Sequence, residues 1–257
     1  MCIRDRGTTY TISFYAKKLV GNGIFEMYDN TNSQTISSFN ITDEWARYSG
    51  TFTPSNTSTL VYWLQQGSSG IYQTILLWGA QIEQQSYATS YIPTNGSIAT
   101  RLADQATGSG NSSLINSTEG VLYAEIAALA DDLTIRRISL SDGTNNNRIN
   151  LSYTGTSNNI NYLLGSGGTA QFSLNHIVSN ITDNTKIALK WKLNDFAFYV
   201  DGVKVGSNTS AITPTGIDRL NFASPTTTDS FFHGNIKALA VYKEALTDAE
   251  LQELTTI

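Results

Sequence analysis

One cysteine, Cys2, stands in a chain of 257 residues, so no disulfide can close within it and cysteine usage says nothing of redox compartment. Histidines number two, His176 and His233, with no Cys or Glu at ligand spacing around them, so a zinc-type centre is not expected. Charge is also scarce: Asp, Glu, Lys and Arg make up 14% of the residues, and the net formal charge is −5. The sixteen Lys and Arg are scattered and form no basic stripe, which argues against a nucleic-acid backbone as partner. No apolar run reaches the roughly eighteen residues of a membrane-spanning helix. An apolar signal-peptide core is missing at the N-terminus. That last absence carries no information, because Met1-Cys2-Ile3-Arg4-Asp5-Arg6 resembles a translated sequencing adapter of the kind found in assembled environmental DNA. Residues 1–7 are accordingly read as an artefactual tail, with natural sequence continuing upstream.

What the chain has instead is Ser, Thr, Asn, Gln, Gly and aromatic residues, with thirteen Tyr and ten Phe against two Met. Thr and Tyr favour strands, and Asn and Gly favour turns. The expected fold class is all-β: two antiparallel β-sandwich (jelly-roll) domains joined by a polar linker, with a short C-terminal helix.

Residues 8–93 form the first expected domain. From Thr9 to Lys17 the sequence alternates, with Tyr10, Ile12, Phe14 and Ala16 on one face and Thr11, Ser13, Tyr15 and Lys17 on the other. Further strands are expected at 24–29, 35–40, 45–52, 59–66 and 71–82, separated by Gly, Asn and Pro turn signals. The run Ile75-Leu76-Leu77-Trp78 reads as strand covered on both faces, and Trp78 as core. Alternation resumes at Ala80 and Ile82, and Pro93 cannot continue a ladder.

The order Trp45-Ala46-Arg47-Tyr48-Ser49, Thr51-Phe52-Thr53, apolar run, Trp78-Gly79-Ala80-Gln81-Ile82-Glu83 resembles jelly-roll modules of the carbohydrate-binding, galactose-binding-like type. Continued through Ser90-Tyr91-Ile92-Pro93-Thr94, Thr100-Arg101 and Ala103-Asp104, it is similar to the end of such modules in phage virion proteins. That resemblance covers residues 8–104.

Residues 94–118, centred on Gly108-Ser109-Gly110-Asn111, are polar and are expected to be the linker. A second domain is expected over 119–257. Leu122, Ala124 and Ile126 supply an inner face, and Tyr199-Val200-Asp201-Gly202-Val203 reads as a type I′ hairpin, whose two turn positions need positive φ. Thr247 and Glu250 form a capping box opening a helix with Leu246, Ala249 and Leu251 as its apolar contacts. With Gly120-Val121-Leu122-Tyr123, Lys186-Ile187-Ala188-Leu189-Lys190-Trp191, Gly234-Asn235-Ile236-Lys237 and Val241-Tyr242, this order resembles the laminin G-like branch of the concanavalin A-like lectin/glucanase fold over 119–254. The resemblance implies two antiparallel sheets, but a fold does not fix a function.

Glucanases of the resembled fold carry Glu-x-Asp-x-Glu on one strand, where period two aligns the acids on one face. That motif is absent: Glu125 precedes apolar residues, and Asp131-Asp132 reads as loop. Nor is there a Gly-x-Ser-x-Gly nucleophile elbow, and Gly165-Ser166-Gly167-Gly168 reads as a hairpin turn. The chain is therefore expected not to be an enzyme. Sugar recognition needs exposed aromatics to stack under a ring and Asn, Asp or Arg to bond its hydroxyls. Candidates in the second domain are Asp142, Asn145 and Asn147 with Tyr162, and Phe232 with His233 beside Phe231. In the first they are Trp63 with Tyr62, and Tyr28 with Asp29. Against this stands the reading in which Trp45, Trp63, Trp78 and Trp191 fill the cores. No cofactor is required; the resemblance allows structural calcium, with no ligands assignable.

The reading that results is a non-enzymatic phage virion protein, of tail or fibre type, for structure or adhesion. Its expected partners are other virion proteins and a host-surface polysaccharide or glycan. The alternative is a secreted or surface-borne bacterial adhesin, or the non-catalytic carbohydrate-binding part of a polysaccharide-degrading enzyme.

Overall fold

Short alternating segments separated by turns fold into antiparallel sheets. The computed structural model describes residues 2–3, 7–54, 60–67, 73–100, 110–226 and 228–257, with side chains described at all of these except 2–3 and 60–63. The chain divides into two units, Met1–Leu102 and Ala103–Ile257.

The first unit holds β1 (Cys2–Ile3), β2 (Tyr10–Gly21), β3 (Phe25–Asp29), β4 (Gln34–Phe39), β5 (Ala46–Phe52), β6 (Leu60–Gln66) and β7 (Gln73–Glu83). They form one sheet in the order β1-β6-β3-β4 and another in the order β5-β2-β7. The even-numbered face of β2 turns inward, as its alternation requires. Phe14 is fully buried there, edge-on to Phe25 at 5.7 Å and to Phe39 at 5.1 Å between ring centroids. Met27, Ile41 and Phe52 complete that core.

The second unit holds β8 (Glu119–Ala128), β9 (Arg136–Ser141), β10 (Arg148–Tyr153), β11 (Asn159–Ser166), β12 (Thr169–Ile177), β13 (Thr185–Lys192), β14 (Phe196–Val200), β15 (Val203–Asn208), β16 (Arg219–Asn221), β17 (Gly234–Tyr242) and a helix, α1 (Asp248–Thr255). Its sheets run β12-β11-β10-β9-β16 and β15-β14-β13-β8-β17. Leu122, Ala124 and Ile126 face the core with Trp191, Phe196 and Phe198. The opposite face of β8 is covered too: Val121 packs with Ala188, Ala197, Tyr199 and Leu251 of α1.

Turn chemistry is where expected. Asp201 and Gly202 take φ of 47° and 78° between β14 and β15, and Gly167 and Gly168 take 56° and 82° between β11 and β12. Thr247 accepts from the Glu250 N–H while the Glu250 carboxylate accepts from Thr247. Two details differ. Ala249 faces solvent, and Thr255 with Leu251 is buried instead. Residues 111–118 do not hang free: Ile115 enters the core, and the Asn116 carbonyl accepts the Trp191 indole N–H at 3.0 Å.

Candidate functional site

The odd-numbered face of β2 points away from the core and carries Thr11, Ser13 and Tyr15. Arg47 of β5 lies opposite Tyr15 in register. Its Nη2 donates to Ser13 Oγ at 2.8 Å, and the guanidinium carbon stands 5.6 Å from the Tyr15 ring centroid, a cation–π distance. Arg47 Nε is buried without a hydrogen-bond partner.

On the other side of β2, β7 carries an extra residue. Ser13 pairs with Gln81 but Tyr15 pairs with Trp78, so three residues of β7 advance against two of β2. The residue that absorbs this β-bulge is Gly79, at φ 63°. Below the bulge Ile82 faces inward against Ile12; above it the parity is reversed, and Trp78 faces outward beside Tyr15. The two rings are 5.3 Å apart at 48°. The expectation that Trp78 fills the core, within a run covered on both faces, is thus corrected. Trp78 is 55% exposed, and Leu76 and Leu77 are 43% and 46% exposed. Ile75 alone of that run packs against the core.

Trp45, just before β5, is also half-exposed and corrects the same core reading. Tyr15, Trp45, Leu76, Leu77 and Trp78 together line an open cleft of about 520 Å³. The stretch after β7 then doubles back over the rest of this face. Thr11 Oγ1 donates to the Gln85 carbonyl at 2.8 Å, the Thr89 N–H to Glu83 at 2.9 Å, and the Ile92 N–H to Gln81 at 2.8 Å. This strap sets Tyr91 against Trp78, ring centroids 4.7 Å apart. A Cβ on Gly79 would stand 3.4 Å from both the Tyr15 and Tyr91 rings, so the glycine also lets the aromatics close in. The lining is apolar and aromatic, with no carboxylate in it. Such a surface offers stacking area to the C–H face of a sugar ring, with Arg47 beside Tyr15 as a polar handle. It does not supply the pair of carboxyls that glycoside hydrolysis needs.

The residues expected from sequence are placed differently. Asp142, Asn145 and Asn147 do share the loop between β9 and β10. Asp142 accepts from the Thr144 N–H at 2.8 Å and from Asn147 Nδ2 at 2.9 Å. Burial pushes its carboxyl up, but the hydrogen bonds from Thr144 and Asn147 outweigh it and hold the pKa below the ordinary value. Asn147 Oδ1 accepts from the Gly167 and Thr215 N–H groups, so this side chain ties loops together. Asn145 is exposed at the loop tip.

Tyr162 does not join them. It is fully buried, donates its hydroxyl to the Lys190 carbonyl at 3.0 Å, and stands edge-on to Phe172 and Phe198. A ring sealed in the core cannot stack on a sugar, so its assignment to a binding site is corrected. Phe232 is half-buried and stacked on Tyr153 at 5.9 Å, packed against the core rather than presented; His233 beside it is exposed. Trp63 lies opposite Tyr28 in the β6–β3 pairing, and its side chain, like that of Tyr62, falls outside the described residues. Asp29 is buried and occupied, accepting from the Thr31 and Asn32 N–H groups at 2.9 and 3.1 Å. Trp191 fills the second core, as read. Among the described residues no three His, Cys, Asp or Glu side chains converge on a point that could hold a metal ion.

Sequence reasoning missed Trp45, Trp78 and Tyr91. The outward face of Tyr15 was legible from alternation, but its neighbour across the sheet depends on the bulge. A lone Gly inside a strand pattern was the available signal.

Two family models match the chain. One, described as a carbohydrate binding domain, matches residues 5–68; the other, the concanavalin A-like lectin/glucanases superfamily, matches 122–252. The chain thus carries a concanavalin A-like domain, and residues 5–68 are similar to carbohydrate-binding domains. No curated protein matches. Among solved structures, leech intramolecular trans-sialidase is 18% identical over 55% of this chain and 24% of its own, with a TM-score of 0.47. The CBM40 module of Ruminococcus gnavus IT-sialidase, bound to α2,3-sialyllactose, is 18% identical over 55% of this chain and 84% of its own, TM-score 0.47. The receptor-binding domain of botulinum neurotoxin type G is 17% identical over 55% and 40%, TM-score 0.39. The chain spans about a quarter of the leech enzyme's length.

Proposed function

The chain belongs to the concanavalin A-like lectin/glucanases superfamily, and on that premise we propose that it works by holding a glycan rather than by cutting one. The observation that carries this is the cleft of Tyr15, Trp45, Leu76, Leu77 and Trp78 in the first unit. Two half-exposed indoles lining one cleft are costly unless something covers them. A large aromatic side chain buries about 150–250 Å². Covering the open half of each indole is worth on the order of 2 kcal/mol. A pyranose ring provides an apolar face for that cover, and its hydroxyls face the Arg47 side.

The proposed setting is a phage tail or fibre, where the protein joins other virion proteins and displays its sugar-holding units to a host-surface polysaccharide. Support for this comes from the resemblance of Trp78–Glu83 and Ser90–Thr94 to phage virion proteins. A secreted or cell-surface adhesin, or the binding part of a polysaccharide-degrading enzyme, is the alternative.

Glycan-array binding of the whole chain, with release of reducing sugar measured on every glycan that binds, tests the proposal. Binding without release is expected. Absence of binding to any glycan, or turnover of a bound one, would overturn it. Neighbouring tail genes on a longer DNA contig would support the virion setting; a fused catalytic domain would remove it.

A further inference from the structure

The outward face of the sheet β12-β11-β10-β9-β16 is mainly polar. Cross-strand register puts Arg137, Ser152 and Asn161 in one row, and Ser139, Asn150 and Leu163 in the next. A third row holds Arg219, Ser141, Arg148 and Gly165. Three arginines therefore share one face. Arg219 is neutralised by Asp218 at 2.7 Å. The other two are not: among the described residues no carboxylate makes an ion pair with Arg137 or Arg148.

Both are partly buried. Arg137 donates Nε to Ser152 Oγ at 3.1 Å and has Asp229 as the acid acting on it from a distance. Arg148 lies along Gly165, where a Cβ would stand 3.6 Å from its guanidinium. Burial lowers the pKa of each, and the positive charge of Arg137 lowers that of Arg148 further. Two like charges are thus held near each other and partly dehydrated, with Asp229 acting on Arg137 only from a distance and no contact ion pair to either among the described residues, a state that costs stability.

Asn150 of β10 sits on the same face, in the row between those of the two arginines. It is 3% exposed, and its Oδ1 has no hydrogen-bond partner. A buried amide oxygen left unpaired costs about 1–3 kcal/mol of desolvation. We propose that Arg137, Arg148 and Asn150 form a site for an acidic saccharide, the guanidinia taking its carboxylate or sulfate and Asn150 taking a hydroxyl. An anion with hydroxyls around it satisfies the unpaired cations and the orphan acceptor together; a neutral sugar satisfies only the second. This site is in the second unit and does not require the aromatic cleft of the first.

The experiment is calorimetric titration of the full chain with three probes. They are a galacturonate hexamer, its fully methyl-esterified neutral form, and a sulfated galactan oligosaccharide. Wild type should bind at least one acidic probe, bind the ester at least tenfold more weakly, and lose affinity as salt rises. Arg148→Gln and Arg137→Gln should each cut acidic binding at least tenfold, and Asn150→Asp should do so by repulsion. The loss caused by Arg148→Gln should be of the same size in a Trp78→Ala background, which separates this site from the aromatic cleft. Arg148→Lys, which keeps charge but loses the planar fork, guards against misfolding and should retain part of the binding. The proposal is overturned if neither acidic probe binds, if the ester binds equally, or if Arg148→Gln binds like wild type.

Discussion

Trp78 stands opposite Tyr15, ring centroids 5.3 Å apart, although counting by twos from the inward Ile82 would send it into the core. The extra residue at Gly79 makes the difference. Gly79→Val should therefore do more harm than its volume suggests. A β-branched residue at φ 63° is strained, and its branches press on Tyr15 and Tyr91. The expected cost is about 1–3 kcal/mol, seen as a lower melting transition of the first unit, with glycan binding weakened in parallel. A Gly79→Val chain that melts like wild type would show that the bulge is not what holds Trp78 outside.

Trp191 tests the opposite kind of tryptophan. It is fully buried and donates to the Asn116 carbonyl. Trp191→Ala should cost about 3–5 kcal/mol through cavity formation and leave the first unit's transition in place. Urea melts followed by two probes, one per unit, distinguish these outcomes.

These two tryptophans show what the sequence could and could not convey. Strand positions, the Asp201-Gly202 hairpin and the Thr247 capping box rest on local rules, and local rules are written in neighbouring residues. Trp191 lies in a strand whose alternation is unbroken, so its burial could be read. Trp78 follows the same composition, but its direction depends on a one-residue slip against β2, a relation between distant segments. Tyr162 failed for a related reason: its loop-side neighbours suggested a rim, whereas register places it inward against Leu151 of β10. The strap from Gln85 to Ile92 reads as departing chain because its hydrogen bonds go to side chains, which leave no periodic trace.

Thr247→Ala removes the acceptor for the Glu250 N–H and half of the capping box. A loss of about 1 kcal/mol is expected, with faster hydrogen exchange in α1 than in β13. Equal exchange in variant and wild type would mean that Leu251 alone holds the helix down.

Acid should weaken the same helix. The hydrogen bond from Lys204 is the main reason the Asp248 pKa lies below its ordinary value, aided by Lys190. A depressed folded pKa means that the unfolded chain takes up the proton first. The contribution is present above the unfolded aspartate range and is lost as pH falls through the folded value. Asp248→Asn should lower the melting temperature at pH 7 and make no difference at pH 2. A gap that persists unchanged in acid would assign the effect to packing, not charge.

If the open aromatic cleft holds glycans, removal of its two indoles must weaken that binding. The full chain and its Trp45→Ala/Trp78→Ala double variant are compared on the same glycan array, with melting curves recorded for both. Since only half of each indole is packed, stability should fall by about 2 kcal/mol per tryptophan while the chain stays folded. Binding to neutral glycans should fall at least tenfold. A double variant that folds normally and binds neutral glycans as well as wild type would show that the cleft holds no glycan.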